Sequence, residues 1–191
     1  MKKKILLPLL LAGMCSTPAF AQTYVTGSVG FGSATLDDIV GYNGSVKSGL
    51  PLSIAVGSRF GVYRAEGAIS IQSHSYDYTT GGLLVNCDFS SFSLMGNGYY
   101  DFIIKESAFT PYLTVGLGIA KSTSKSDGVP LTGGYYVPAF SNDTTGLAIQ
   151  LGGGVGIKAS DVLVVDLGLR YVKPAANVSL TNVLVGARYA F

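Results

Sequence analysis

The sequence predicts an all-β protein, an eight-stranded antiparallel up-and-down transmembrane β-barrel. First, apolar and polar residues alternate with a period of two in eight segments, which is typical of strands whose two faces meet different surroundings. Second, 48% of the residues are hydrophobic, yet no apolar run after residue 21 is long enough for a membrane-spanning helix. Third, short and long connections alternate between the segments, which is the asymmetry of transmembrane barrels.

Each predicted strand is close to the roughly 9–11 residues that a tilted strand needs to cross the hydrocarbon layer. In the seventh, Val165 and Leu167 lie on one face and Asp166 on the other, so the apolar face points to lipid and the polar face to the lumen. The predicted bounds are Tyr24–Gly32, Leu50–Phe60, Tyr63–Tyr76, Phe89–Phe102, Pro111–Ala120, Gly146–Lys158, Leu163–Val172 and Leu180–Phe191.

The connections fall into two length classes. Because the strand count is even, both termini and the short turns lie at one end of the barrel, which we predict to be periplasmic, with the long loops outside. The short connections are residues 61–62, 104–109 and 159–162, and the longer ones, rich in small polar residues, are 33–49, 77–88, 121–145 and 173–179.

Residues 1–21 have the features of an export signal peptide, which leaves residues 22–191 as one barrel domain. Lysines at positions 2–4 precede an apolar run over residues 5–14, and Ala19-Phe20-Ala21 is an Ala-x-Ala site, so cleavage is predicted before Gln22. Cys15 raises a lipoprotein signal as the alternative, although Met14 occupies the position where that motif needs a small residue.

Removing the signal changes the charge and the cysteine content. Thirteen Lys and Arg residues less the three in the signal leave ten, against eleven Asp and Glu, so the exported chain carries a net charge of −1. This balance gives no electrostatic support for nucleic-acid binding. Cys87 is left without a second cysteine, and we predict a small residue near a strand end with no redox role.

The chain ends on a strand whose alternation runs through Tyr189 to Phe191. An open edge of this kind invites aggregation, whereas a barrel closes it by pairing the last strand with the first. The segment resembles the C-terminal signal of bacterial outer-membrane barrels, Gly-x-x-aromatic-x-aromatic, with Gly186, Tyr189 and Phe191 in the matching positions; Leu184 stands where a polar residue is usual. The resemblance implies recognition by the barrel-assembly machinery.

Five internal segments, residues 95–102, 109–113, 116–118, 152–156 and 166–171, resemble the opacity-type and related surface-antigen barrels of Gram-negative bacteria. The resemblance implies an outer-membrane location in contact with lipid and lipopolysaccharide, and a surface-antigen or adhesin-like role. We predict no enzymatic activity, cofactor or metal. Long loops on a rigid scaffold are where binding sits, so we predict that host or cell-surface ligands contact the loop aromatics Tyr42, Tyr76, Tyr78, Tyr135, Tyr136 and Phe140.

Eight charged residues are predicted to face the lumen. An eight-stranded lumen is just wide enough for side chains to fill, and charges there must be paired or solvated. We predict a plugging network with Arg170 and Arg188 near Asp166, and with Arg59 and Arg64 near Glu66; a narrow small-solute pore is the alternative. The set comprises Arg59, Arg64, Glu66, Asp101, Lys158, Asp166, Arg170 and Arg188.

A lipid-modifying enzyme is a further alternative, because outer-membrane deacylases use a His and a Ser two residues apart. Ser73 and Ser75 flank His74, but strand alternation places them on the opposite face from the histidine. The glycine-rich segment 152–156 lacks the closing Lys-Ser/Thr of a phosphate loop, and glycine there is expected to allow sharp strand curvature.

Overall fold

A computed structural model describes residues 22–36, 45–46, 48–80, 83–126, 128–130, 136–174 and 178–191. The predicted signal peptide lies outside these residues. Eight long antiparallel strands account for most of the described chain. They are β1 (Gln22–Leu36), β2 (Leu50–Phe60), β3 (Tyr63–Thr80), β4 (Leu83–Asp101), β5 (Phe109–Ser126), β6 (Phe140–Lys158), β7 (Leu163–Lys173) and β8 (Val178–Ala190).

The eight strands close into a barrel in which each strand pairs with its sequence neighbours and β8 pairs with β1. Closure is in register over most of β1, from Tyr24 opposite Ala190 to Leu36 opposite Val178. The Phe191 amide continues the ladder by donating to the Thr23 carbonyl at 3.0 Å. The predicted eight-stranded antiparallel up-and-down barrel is therefore confirmed.

The ends of the barrel differ in their connections. At one end, which we call the turn end, the strands are joined by Gly61-Val62 and by residues 102–108 and 159–162. Gly61 has a φ of 64°, a backbone conformation that glycine adopts without steric cost and that a tight hairpin turn requires at this position. The opposite end, the loop end, holds two long connections, residues 37–49 and 127–139, which include the short strands Ser45–Val46, Val129–Pro130 and Tyr136–Val137. The expected long loop over residues 77–88 is wrong, because most of these residues belong to β3 and β4, which leave only residues 81–82 between them.

The wall is taller on one side than the sequence predicted. Strands β3 to β6 contain 18, 19, 18 and 19 residues, whereas β2 and β7 contain 11 each. The extra length lies at the loop end, where β3 pairs with β4 up to Thr80 opposite Leu83, and β5 pairs with β6 up to Ser126 opposite Phe140. The extensions of β3, β5 and β6 are mostly polar, so alternation of hydrophobicity ends before the hydrogen bonding does. The extension of β4 begins with the apolar run Leu83-Leu84-Val85, which does not alternate either.

The two faces of the wall follow the predicted parity. Side chains such as Leu167, Leu169 and Leu147 are 42%, 54% and 69% exposed on the outer surface. Aromatic residues cluster there near the turn end, with the rings of Tyr63 and Tyr100 at 5.5 Å. The described part of the chain contains no helix that is long and apolar enough to cross a membrane.

Candidate functional site in the barrel lumen

The turn-end half of the lumen is filled by a layer of charged residues and tyrosines, which we call the lumenal belt. Its members come from seven strands, because inward positions of neighbouring strands lie at similar heights in the antiparallel register. Most of these polar side chains are buried, so they satisfy each other rather than bulk water. The belt consists of Tyr24, Arg59, Arg64, Glu66, Tyr99, Asp101, Tyr112, Asp166, Arg170 and Arg188.

Arg64 and Asp101 form the most buried ion pair of the belt, with side chains 2% and 1% exposed. The Arg64 Nε donates to both carboxylate oxygens at 3.0 Å, and Nη2 lies 2.9 Å from Oδ1. The guanidinium also lies 4.2 Å from the centroid of the Tyr99 ring. Charge, hydrogen bonding and stacking therefore hold this arginine in one orientation.

Asp166 and Arg188 form a second pair, between β7 and β8. The arginine binds both carboxylate oxygens, with Nε to Oδ2 at 3.1 Å and Nη2 to Oδ1 at 2.9 Å. This fork geometry matches the planar guanidinium to the carboxylate. The expected proximity of Arg188 to Asp166 is thus what the structure shows.

Glu66 is held by two tyrosines in addition to an arginine. The hydroxyls of Tyr24 and Tyr99 donate to its two oxygens at 2.9 and 2.6 Å, while Arg64 Nη1 lies 3.6 Å from Oε1. Arg170 reaches the same network by donating from Nη2 to the Tyr99 hydroxyl at 3.2 Å. Tyrosine hydroxyls therefore link the two sides of the belt.

Two of the four arginines bind other groups than the expected carboxylates. Arg59 lies 3.6 Å from Asp101 and not beside Glu66, because Tyr24 and Arg64 already occupy the space around Glu66. Arg170 binds the Tyr99 hydroxyl, and within the described residues it forms no ion pair with Asp166, whose two oxygens are both taken by Arg188.

Lys158 lies outside the belt, which corrects its assignment to the lumenal network. It is at the rim of the turn end, where its Nζ binds Asp161 Oδ1 at 2.8 Å, and both side chains are largely exposed. The hydrogen bond and charge of Lys158 lower the pKa of the Asp161 carboxyl below its usual range. Lys158 has the predicted parity, but it is the last residue of β6, and this position at the strand end leaves its side chain exposed.

Glycines on the inner face make room for the belt tyrosines. A Cβ at Gly154 or Gly168 would lie 2.6 or 2.7 Å from the Tyr112 hydroxyl, and one at Gly57 would lie 2.6 Å from the Tyr24 ring. From the sequence alone, the glycines of β6 are expected to allow strand curvature. The sequence does not directly reveal the close approach of Tyr112. A signal that could have indicated it is an inward tyrosine on one strand with inward glycines on the next strands.

The loop-end half of the lumen is closed differently, by an apolar cluster that we call the loop-end cap. It consists of Ala34, Phe89, Val178 and Leu180, all at most 7% exposed. The His74 ring lies beside it, 6.3 Å from the Phe89 ring. Between cap and belt the lumen is crossed by uncharged hydrogen bonds, from Asn182 to Gln72 at 3.0 Å and from Gln150 to Asn97 at 3.1 Å.

His74 and its serine neighbours lie on opposite faces of β3. The histidine is 2% exposed inside the barrel, whereas Ser73 and Ser75 are exposed outside it. The Ser75 hydroxyl donates to Asp88 at 2.8 Å. This geometry does not bring a histidine and a serine together as nucleophile and base. Cys87 is buried on the inner face of β4.

The enclosed space inside the barrel is small. One cavity of about 20 Å³ lies within the belt beside Glu66, Asp166 and Arg170, and another of about 30 Å³ lies nearer the loop end. Arg170 and Leu184 line both. A third, of about 260 Å³, is a bowl at the turn end beneath the belt.

The remaining predicted residues lie at the two ends. Tyr189 and Phe191 are 51% and 70% exposed on the outer surface at the turn end, whereas Gly186 faces inward. Among the loop aromatics, Phe140 is 48% exposed at the start of β6. Tyr76 and Tyr78 belong to β3 and Tyr136 to a short strand, while Tyr42 and Tyr135 lie outside the described residues.

Comparison with known proteins identifies the family. The family model described as the outer membrane protein beta-barrel domain matches residues 7–191. The chain belongs to this outer-membrane β-barrel family. As a member of it, the protein resides in the outer membrane, and the apolar band on its outer surface contacts lipid and lipopolysaccharide.

Individual proteins are similar to the chain over most or all of its length. The chain is similar to an uncharacterized protein of Haemophilus influenzae, at 28% identity over 193 residues and the full length of both chains. Among solved structures it is similar to Neisserial surface protein A, with a TM-score of 0.64, 20% identity, and coverage of 90% of this barrel and 99% of that one. Ail, the attachment invasion locus protein of Yersinia pestis, solved with the heparin analogue sucrose octasulfate, has a TM-score of 0.57 and 17% identity at the same coverage.

Proposed function

We propose that the protein is a non-enzymatic surface protein whose loop end binds external partners and whose lumen is a closed scaffold. The observation that carries the proposal is the filling of the lumen: the cavity within the belt measures about 20 Å³ and the cavity nearer the loop end about 30 Å³. One water needs about 10–15 Å³ of such space, so each cavity holds one or two waters. A barrel filled in this way is a rigid support, and recognition is left to its loops.

The orientation follows from the asymmetry of the connections. We place the turn end in the periplasm and the loop end outside the cell, with residues 1–21 removed as a signal peptide. The tall wall of β3 to β6 supports this arrangement, because its strands extend farther beyond the apolar band than those of the short wall. The loop ends of these strands are then among the parts of the molecule most accessible to another cell.

The charge of the loops narrows the class of partner. Residues 33–49, 77–88 and 121–145, which include the loop-end parts of β1 and of β3 to β6, contain six Asp and three Lys, so this end repels polyanions such as the heparin analogue bound in the Ail structure. Tyrosines supply large contact areas with a polar tip. We therefore propose a neutral or basic protein or glycan surface, contacted by Tyr42, Tyr76, Tyr78, Tyr135, Tyr136 and Phe140.

The experiment is a binding assay on cells that display the protein. Replacing the six loop aromatics by alanine should abolish binding to host-cell or bacterial-cell surfaces, while heat-modifiable migration on gels stays normal. Alanine at the exposed loop-end residues Ser141 and Thr145 is the matched control. Unchanged binding by the six-residue variant, once shown to be folded, would refute the proposed contact surface.

A narrow small-solute pore is the second candidate, favoured by the bowl of about 260 Å³ and by the two cavities that share Arg170 and Leu184. The belt interrupts this path. Purified protein in planar bilayers should therefore conduct little, and steady single-channel conductance at neutral pH would favour the pore over the closed scaffold.

Recognition by the barrel-assembly machinery is proposed for Gly186, Tyr189 and Phe191. Phe191→Ala should lower the amount of folded protein in the outer membrane while export continues. Phe31→Ala is a matched control, because Phe31 and Phe191 are 72% and 70% exposed on the same outer surface. Equal losses in the two variants would show that exposed aromatic area matters and the terminal signal does not.

A further inference from the structure

The bowl at the turn end is a polar cavity that the closed scaffold does not need. Its floor is the underside of the belt, formed by Tyr24, Asp101 and Arg188, and hydroxyls of Ser107 and Ser160 stand at its rim. The cavity is about 260 Å³, slightly below the roughly 300–1,000 Å³ of typical small-molecule sites. It is therefore large enough for a small solute of a few carbon atoms.

Positive charge exceeds negative charge around the bowl. Three cations line it, Arg59, Lys158 and Arg188, against the carboxylates of Asp101 and Asp161. Arg188 is already bound to Asp166 through two hydrogen bonds. The cations that remain to contact a bound solute are thus Arg59 and Lys158.

Arg59 is only weakly held by the belt. Asp101 is saturated by Arg64, which lies 2.9–3.0 Å from both of its oxygens, whereas Arg59 Nη2 lies 3.6 Å away. Its Nε donates to the Gly61 carbonyl at 3.1 Å, and one third of its side chain is exposed. This anchors the stem of Arg59 at the turn and leaves guanidinium hydrogens facing the bowl, where a planar oxyanion fits them.

Lys158 is available as well. Its partner Asp161 is 94% exposed, and such surface ion pairs exchange readily with water and other ions because they add little stability. Val162, Val164 and Ala190 complete the lining with apolar surface beside the two cations. The bowl thus combines a cationic side with a small apolar side, which suits a short carbon skeleton bearing one anionic group.

We propose that the turn-end bowl binds a small solute carrying a carboxylate or phosphate group, with Arg59 and Lys158 as the residues that hold its oxygen atoms. The site is separate from the loops, so this proposal can be tested independently of the proposed adhesive role. It faces whichever compartment contains the short turns.

Nuclear magnetic resonance on isotope-labelled full-length protein in detergent micelles tests the proposal. Inorganic phosphate and acetate are titrated separately at constant ionic strength. We expect saturable shifts in the amides of Ser107 and Ser160 and in the Arg59 Nε–H for at least one of the two anions. The anion that saturates identifies the recognised group, and the absence of saturation with both would overturn the proposal.

Three variants localise the site. Arg59→Gln should weaken binding about tenfold, since a hydrogen bond to a charged group is lost. Asp161→Ala should tighten it, because the carboxylate that competes for Lys158 is removed, and this exposed position does not endanger folding. Lys105→Gln, an exposed lysine on the neighbouring turn that does not line the bowl, is the control. Equal changes in Lys105→Gln and Arg59→Gln, or no change in Asp161→Ala, would refute the assignment.

Discussion

At the turn end the lumen is filled by Arg64, Asp101 and the other members of the belt, whereas at the loop end it is filled by Phe89, Leu180 and the rest of the cap. Both layers are built from inward positions, with β1, β4 and β8 contributing to both, and both contain side chains at 1% exposure, Asp101 and Leu180. In the belt, water is excluded by buried groups that hydrogen-bond to each other in defined directions. In the cap, it is excluded by close packing of apolar side chains.

This difference predicts how the stability of each layer responds to amino-acid substitutions. A buried carboxylate–guanidinium pair loses most of its value when one partner is removed, because the other charge is left without compensation. An apolar cluster loses contacts in proportion to the volume removed, and its neighbours relax in part. The belt should therefore respond to single substitutions in an all-or-none way and the cap in a graded way.

The largest expected effect is at the belt. Asp101→Ala leaves Arg64 buried without its carboxylate, which costs about 3–5 kcal/mol in the free energy of unfolding. Denaturant titration in detergent measures this cost. Asp161→Ala, which removes an exposed carboxylate at the same end, should leave the midpoint unchanged.

A double substitution sharpens the same test. Replacing the pair together, as Arg64→Met with Asp101→Leu, should be less destabilising than Asp101→Ala alone, because no charge is left buried. If the double variant is the less stable of the two, the belt contributes net stability beyond the avoidance of an unpaired charge.

The next effect is at the cap. Leu180→Ala should cost about 2–5 kcal/mol, and Leu180→Val a fraction of that value. Both costs are measured by the same denaturant titration, and Leu147→Ala, at an exposed position, is the control. An abrupt loss at Leu180→Val would contradict graded behaviour and remove the contrast between cap and belt.

The outer surface provides a third region with which both can be compared. Leu167→Arg places a charge on the lipid-facing side of β7, where arginine costs roughly 2–4 kcal/mol near the midplane of the bilayer. Asn142→Arg, at the exposed loop-end part of β6, should have little effect. Similar unfolding midpoints for these two variants in lipid vesicles would show that the assigned facing of β7 is wrong.

The smallest expected effect concerns the packing of the belt. Gly154→Ala puts a methyl group against the Leu167 carbonyl and the Tyr112 ring, and overpacking of this kind costs about 1–3 kcal/mol. Gly67→Ala is a matched control, because nothing lies within 4 Å of the added Cβ. A neutral result at Gly154 would mean that Tyr112 moves freely, and that the belt is less rigid than its hydrogen bonds indicate.

The sequence was sufficient for most of the fold and only part of the site. Period-two alternation correctly assigned inward and outward residues, including Val165 and Asp166, and it located both bounds of β2. It failed for the loop-end extensions of β3 to β6, where backbone pairing continues through polar residues such as Ser124 and Asn142. Hydrophobic patterning reports burial against lipid, and it carries no information on strands that rise above the apolar band.

The sequence by itself determined that the chain forms strands, which face each side chain occupies and that charges lie inside, because these properties follow from local alternation and from the even strand count. Only the tertiary structure decided the partners. Arg59 is beside Asp101 and not Glu66, and Tyr112 of β5 fits over Gly154 and Gly168 of the next two strands. Such contacts depend on the stagger between strands and on closure of the barrel, which join residues far apart in the chain and leave no periodic signal in any one segment.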